Sequence, residues 1–276
     1  SEAPLVAVEL RPPRSGLTGA GAMDMWIALS YSIRRIVDRD AFLMLTDSAI
    51  GQEEEENLQH LAANLAGEVD PWRIVPFLTC KHPLEYCLRY GDRARARGLE
   101  TLTVVGGDAG GGPPRCLPHA HELRERLRGR TPELALGGWV NPHRSAEEQL
   151  GYALDPRFEA DYYLTQVVSH HDLDLVERWL RATSEGGLEL PWAAGVFFYR
   201  NGRRATLERL SGYFPVPVDA VASEFEAGTT PERHCARTIV ELRRLGVPNV
   251  YVCNLGARHG ATRYDAILSE VEALGA

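Results

Sequence analysis

Eight short apolar runs recur along this chain, and each is followed by a stretch with apolar residues at helical spacing. This alternation constrains the fold more than any single motif, because neighbouring parallel strands need a crossover and a helix supplies it. Strands are expected at 5–10, 42–46, 74–79, 101–105, 133–139, 161–166, 192–198 and 249–254. Helices are expected at 23–37, 53–66, 82–97, 117–127, 145–153, 173–182, 231–245 and 262–274. Two further helical stretches, 203–210 and 219–225, read as an insertion between strands seven and eight. The helix at 231 has the firmest start, with Thr230 as N-cap, Pro231 at the first position and Gly246 beyond the end. Eight such units in 276 residues predict a (β/α)8 barrel, a single catalytic domain over 1–276. A doubly wound sheet is the alternative.

Composition narrows the function classes. The chain is 44% hydrophobic and 25% charged, which supports an ample core. A net charge of −8 argues against a nucleic-acid surface, although a local pocket can still take an anion. No apolar run reaches membrane-spanning length, and the Ser1-Glu2-Ala3-Pro4 start lacks the parts of a signal peptide, so no membrane association and a cytoplasmic location are expected. The five cysteines are odd in number with no C-x-x-C spacing, so neither a disulfide framework nor a zinc site of cysteines is indicated. His170-His171 invites a metal reading. Adjacent residues point to different sides, however, and no Asp or Glu completes a known spacing. A surface or capping role is expected for this pair, a helix-face position for His119 and His121, and no metal site.

In a parallel barrel the chemistry lies at the C-terminal ends of the strands. Strand four, Thr101 to Val105, ends in Gly106 and Gly107, and Asp108 follows at the start of a Gly-Pro loop. Asp108 either orders its own turn or presents a carboxylate to the mouth. The other strand ends offer Glu9; Thr46 and Asp47, with Glu53 to Glu56 beyond; Thr79; Asn141 and His143; Thr165 and Gln166; and Asn254. Glu9 interrupts an apolar strand, so it is either paired with Arg11 or Arg14 or carries a raised pKa suited to a general acid. Gln166 either bonds loop backbone or reads a heterocycle edge with its amide. The acidic run from Glu53 reads as a solvated helix start, one member of which can face the mouth. The glycines after strand four match no dinucleotide fingerprint and read as room for a flat ligand.

The order of these motifs resembles a known family. Val8-Glu9-Leu10-Arg11-Pro12-Pro13-Arg14 resembles the F-E-F-F-P-P-R opening of methylenetetrahydrofolate reductases. Leu78-Thr79-Cys80 is similar to the family's strand-three L-T-C, Gly107-Asp108 to its strand-four G-D, and Thr165-Gln166 to its strand-six T-Q. The resemblance runs from strand one through strand six and is weaker afterwards. It implies a barrel that reduces 5,10-methylenetetrahydrofolate to 5-methyltetrahydrofolate in one-carbon metabolism and methionine biosynthesis. Glu9 would be the proton donor to N10. Asp108 would bind the pterin and stabilise the developing cation, Gln166 would hold the pterin, and Thr46 and Glu55 would add substrate contacts. Thr79, Gly107 and His143 would meet the cofactor.

The departures from the family concern flavin. The His that precedes L-T-C is Phe77 here, the Arg that precedes G-D is Gly106, and no Lys follows His143 before strand six. Asp47 and Glu53 to Glu56 add negative charge, while Arg144 and Arg157 are the cations that would offset part of it. The chain is therefore similar to the family's flavin-independent branch, known in actinobacteria. That branch implies NADH or NADPH handing hydride directly to the folate, with FAD absent. Three other readings stand beside it. One is a conventional FAD-dependent reductase and another is a non-catalytic folate-binding barrel. The third is a lyase or hydrolase with Glu9 and Asp108 as acid and base; Lys81 is the only lysine in the chain, so Schiff-base chemistry lacks an obvious residue.

Overall fold

A computed structural model describes residues 6–14, 16–47, 58, 65, 67–107 and 112–275. Strands β1 (Val6–Leu10), β2 (Phe42–Leu45), β3 (Ile74–Thr79), β4 (Thr101–Val105), β5 (Ala135–Val140), β6 (Tyr162–Val168), β7 (Trp192–Phe197) and β8 (Val250–Cys253) form one closed barrel in sequence order. Every pairing is parallel, and Val8 closes the ring by lying opposite Leu43 on one side and Val252 on the other. The helices are α1 (Gly19–Val37), α2 (Leu84–Ala96), α3 (Ala120–Arg130), α4 (Ala146–Leu154), α5 (Leu173–Gly186), α6 (Arg204–Ser211), α7 (Val218–Glu226), α8 (Pro231–Arg244) and α9 (Gly260–Gly275). The expected (β/α)8 barrel is therefore the observed fold, with α6 and α7 as the insertion between β7 and β8. The expected helix at 53–66 falls mostly outside the described residues; Leu58 and Leu65 are helical and buried. No helix among the described residues is long and apolar enough to cross a membrane.

The two-residue period of a strand sorts its side chains into two cores. Ala7, Met44, Val75, Phe77, Leu164, Tyr251 and Cys253 belong to the cluster inside the barrel. Val8, Leu10, Leu43, Leu45, Leu102 and Val104 belong to the larger layer between strands and helices. Alternation thus puts Glu9 on the inner face of β1 with Ala7. Below the mouth, Tyr251 donates its hydroxyl to the Thr165 carbonyl at 2.7 Å. That ring passes so close to β7 that a Cβ on Gly195 would lie 2.6 Å from the Tyr251 hydroxyl oxygen.

Several boundaries differ from those expected, for local reasons. Helix α1 starts at Gly19 because the Thr18 hydroxyl accepts from the Gly21 amide. Helix α3 begins three residues after Leu117, behind His119, whose amide donates to the Glu122 carboxylate. Strand β5 occupies Ala135–Val140 instead of starting at Glu133. Helix α5 runs on to Gly186 and stops at Gly187, which takes the left-handed conformation at φ 71°. Strand β6 continues past Gln166 to Val168, and its pairing with β7 shifts register between Leu164 and Val167. Such a shift re-aims side chains, and here it falls at Gln166.

Candidate functional site

A cavity of about 660 Å³ opens at the C-terminal ends of the strands, within the size range of small-molecule sites. Glu9, Thr46, Asp47, Thr79, Gly107, Asn141 and Gln166 all line it, so most of the strand-end candidates converge on one space. Glu9 reaches it from inside the barrel. Tyr251 and Cys253 lie within its electrostatic reach; their pKa values are raised first by burial, and ionisation of Glu9 adds to the rise.

Asp47 organises the floor between β2 and β3. Its carboxylate accepts from the Thr79 amide at 2.7 Å, from the Thr79 hydroxyl at 3.0 Å, and meets His82 Nε2 at 2.7 Å. Thr79 therefore lines the cavity with its hydroxyl already engaged. Gln166 combines the two roles open to it in the sequence. Its Oε1 accepts from the Val167 amide at 2.9 Å, and the residue still lines the cavity. That bond leaves the amide nitrogen as the donor for a ligand.

Other candidates make hydrogen bonds within the fold. The His143 ring lies outside the lining residues, with Nε2 2.8 Å from the Val167 carbonyl oxygen, where it holds the end of β6. Thr165 is buried; its hydroxyl donates to the Gln166 carbonyl and accepts from the Gly195 amide. Asn254 sits at φ 70° and donates to the Phe198 carbonyl. Lys81 is 5% exposed, packs beneath Gly107 and does not line the cavity. Asp108 and Glu55 lie outside the described residues, as does the run Glu53 to Glu56.

The cation-poor mouth expected around Gly106 is not what the fold builds. A Cβ on Gly106 would lie 2.9 Å from the guanidinium carbon of Arg115, so Arg115 occupies the space that a side chain at 106 would fill. Its guanidinium donates from Nε to the Gly107 carbonyl at 3.1 Å. Arg144 also lines the cavity, whereas Arg157 is held by Asp155 at 2.6 Å and lies outside the lining. Arg124 is fully buried and spends its donors on the carbonyls of Phe158, Glu159 and Val104, which makes it a brace for the wall. Its pKa is lowered by that burial.

Sequence reasoning also missed Trp139, Tyr152 and His119 in the lining. Trp139 was within reach of it, since it is inward-facing near the end of β5. With Phe77 it provides aromatic surface against which a flat ring can pack. Tyr152 lies on α4, while His119 is the N-cap before α3 and not on a helix face as expected; only the packing of α3 and α4 against the rim brings them in.

The reading of His170-His171 as a surface or capping pair is overturned. Both rings turn onto one carboxylate, Glu224 of α7, with His170 Nε2 at 2.9 Å and His171 Nε2 at 3.0 Å from the same oxygen. His234 of α8 completes the group. Adjacent residues can share a target here because they lie in the turn after β6, where neither strand nor helix period applies. Burial and the neighbouring imidazoles push the pKa of His170 down, and that of His234 down to about 4. None of the four lines the mouth cavity.

Fold and mouth together define a (β/α)8 barrel with a wide polar and aromatic site at its C-terminal face. No protein-family model matches the sequence, and no curated protein sequence matches it significantly. Among solved structures, the chain is similar to a protein from Clostridium thermocellum that binds two copies of 5-methyl-5,6,7,8-tetrahydrofolic acid. The TM-score is 0.69 at 12% identity, over 99% of this chain and 96% of that one. It is also similar to a Pseudomonas aeruginosa protein assigned as a dihydrodipicolinate synthetase, with TM-score 0.51, 14% identity, and coverage of 99% and 80%. A mandelate oxidase variant with a C4a-OH-FMN adduct aligns with TM-score 0.51 and 16% identity, over 98% of this chain and 74% of that one. At these identities the likeness is one of fold.

Proposed function

We propose that this chain is an NAD(P)H-dependent 5,10-methylenetetrahydrofolate reductase that transfers hydride without a flavin. The observation that carries the reading is Glu9, a carboxyl group on the inner face of a barrel strand that opens into the mouth cavity opposite amide donors and aromatic surface. The motif order that resembles the reductase family supports it. So does the methyltetrahydrofolate bound by the Clostridium thermocellum barrel, which makes a reduced pterin the ligand class to test first.

In this reading Glu9 protonates N10 of the substrate. The bond between N10 and the methylene carbon breaks, and N5 carries the resulting iminium. Hydride from the dihydronicotinamide adds to that carbon and leaves a methyl group on N5, with the cofactor oxidised to NAD(P)+. Gln166 and Asn141 offer amide groups to the pterin edge, and Asp108 would stabilise the cation from the loop after β4. Trp139 and Phe77 supply faces for stacked rings. Hydride transfer needs the reacting atoms about 3–3.5 Å apart, which a cavity taking both rings together allows.

A flavin-dependent reductase is the second reading, and one observation favours it. Arg115 and Arg144 line the mouth and suit a diphosphate better than the residue at 106 suggests. A visible spectrum of the untreated protein separates the two readings, followed by oxidation of NADH with methylenetetrahydrofolate. Direct transfer predicts a colourless, active protein that delivers deuterium from stereospecifically labelled NADH to the product methyl group. Stoichiometric FAD released on denaturation, or a rate that depends on added FAD, would return the chain to the second reading.

A further inference from the structure

Away from the mouth, three imidazoles and one carboxylate converge. His170 and His171 follow β6, Glu224 sits near the end of α7, and His234 lies in the first turns of α8. One ligand atom from each falls within 4.8 Å of all the others. Glu224 Oε2 is the hub, 2.9 Å from His170 Nε2, 3.0 Å from His171 Nε2 and 3.5 Å from His234 Nε2.

Hydrogen bonds around this group hold the rings in place. The Thr238 hydroxyl lies 3.3 Å from the His234 carbonyl oxygen, to which it can donate, and 2.8 Å from His170 Nδ1. With a metal ion in place of the Nε2 proton that faces Glu224, the Thr238 oxygen would accept from His170 Nδ1–H and leave the Nε2 lone pair for the ion. Fixing a ring's tautomer through its other nitrogen is how metal-binding histidines are held. His234 has 1% of its side chain exposed, and neither of its ring nitrogens makes a hydrogen bond. Glu224 Oε1 is likewise buried without one, with Arg237 Nη1 3.5 Å away. Buried polar atoms left in this way need a partner. The pocket is walled by the Phe225 ring, stacked 5.5 Å from His234, and by the Tyr199 ring, edge-on at 5.3 Å.

We propose that His170, His171, Glu224 and His234 bind one zinc-class divalent ion. Three nitrogens and one carboxylate oxygen suit such an ion better than calcium or magnesium, which prefer oxygens, or a thiophilic ion, which prefers sulfur. Zinc–nitrogen bonds of about 2.0–2.1 Å in a tetrahedron put ligand atoms about 3.3 Å apart. The three oxygen–nitrogen separations at Glu224 bracket that value. Four protein ligands make a closed, structural site. The ion would tie α7 and α8 to the turn after β6, fastening the insertion to the barrel rim.

The test uses the full chain, stripped with a chelator, desalted and titrated with zinc chloride or cobalt chloride. One equivalent of zinc is expected to survive a second desalting step. Cobalt should give the visible bands of a tetrahedral site, and zinc should raise the thermal midpoint, since an ion that binds only the folded chain stabilises it. His171→Asn, at the most accessible of the three histidines, and Glu224→Gln should lose the equivalent. Thr238→Val, which touches no ion but frees the His170 ring, should weaken zinc binding about 10–100-fold. Wild-type protein that retains no zinc and gives no cobalt bands would overturn the proposal. So would a zinc equivalent kept unchanged by both His171→Asn and Glu224→Gln. Neither result bears on hydride transfer at the mouth.

Discussion

The barrel mouth and the histidine cluster are both polar sites in one chain, and they are built on opposite plans. At the mouth, Glu9 and Gln166 on β1 and β6 and Asn141 just after β5 surround about 660 Å³ of space, with aromatic faces between them. In the cluster, four groups meet with ligand atoms no more than 4.8 Å apart. A wide site with separated donors suits an organic molecule that brings its own hydrogen-bonding edge. A narrow one with converging lone pairs suits a single ion. The difference teaches that density of polar side chains does not by itself mark the cavity able to take an organic ligand. The richest cluster joins the turn after β6 to α7 and α8, and the sparser strand ends face the wide cavity.

Changes on either side can break or sharpen that contrast. The largest effect is expected from Glu9→Gln, which keeps the shape but removes the general acid. Turnover should fall by about 10²–10⁴, with the thermal midpoint and any bound metal unchanged. Near-normal turnover would remove Glu9 from the mechanism. Next is Gly195→Ala, beneath the mouth. A Cβ 2.6 Å from the Tyr251 hydroxyl oxygen forces repacking, and overpacking of this kind costs about 1–3 kcal/mol. Denaturant unfolding measures it, and an unchanged midpoint would mean that the inner layer yields more easily than its packing implies.

Gln166→Ala should be milder, because it deletes a single neutral hydrogen-bonding group worth about 0.5–1.5 kcal/mol. The folate Michaelis constant should rise while that for NADH stays put; a change confined to NADH would move Gln166 out of the pterin site. The smallest effect belongs to Arg237→Ala. Its guanidinium is 55% exposed and 3.5 Å from Glu224, and an exposed pair of this sort contributes about 0–1 kcal/mol. A larger loss of stability in the zinc-free protein would mean that Arg237, and not an ion, balances the buried carboxylate.

What was legible in the sequence follows from local periodicity. All eight strands and the helical insertion could be placed because alternation and helical spacing are properties of a few consecutive residues. Glu9 stood out for the same reason, as a carboxylate inside an apolar run, and the strand-end rule then gathered Thr46, Asp47, Thr79, Asn141 and Gln166 into one mouth. Tertiary structure alone decided the groups that meet from distant parts of the chain. Arg115 fills the space over Gly106 after a Gly-Pro loop, which reversed the picture of a mouth poor in cations. His143 engages the Val167 carbonyl at the end of β6. His170 and His171 found Glu224 more than fifty residues on and His234 ten residues beyond that, through an insertion whose docking angle no sequence spacing encodes. A strand's face is set by its own two-residue period, whereas the meeting of a turn with two helices depends on how the whole outer layer packs.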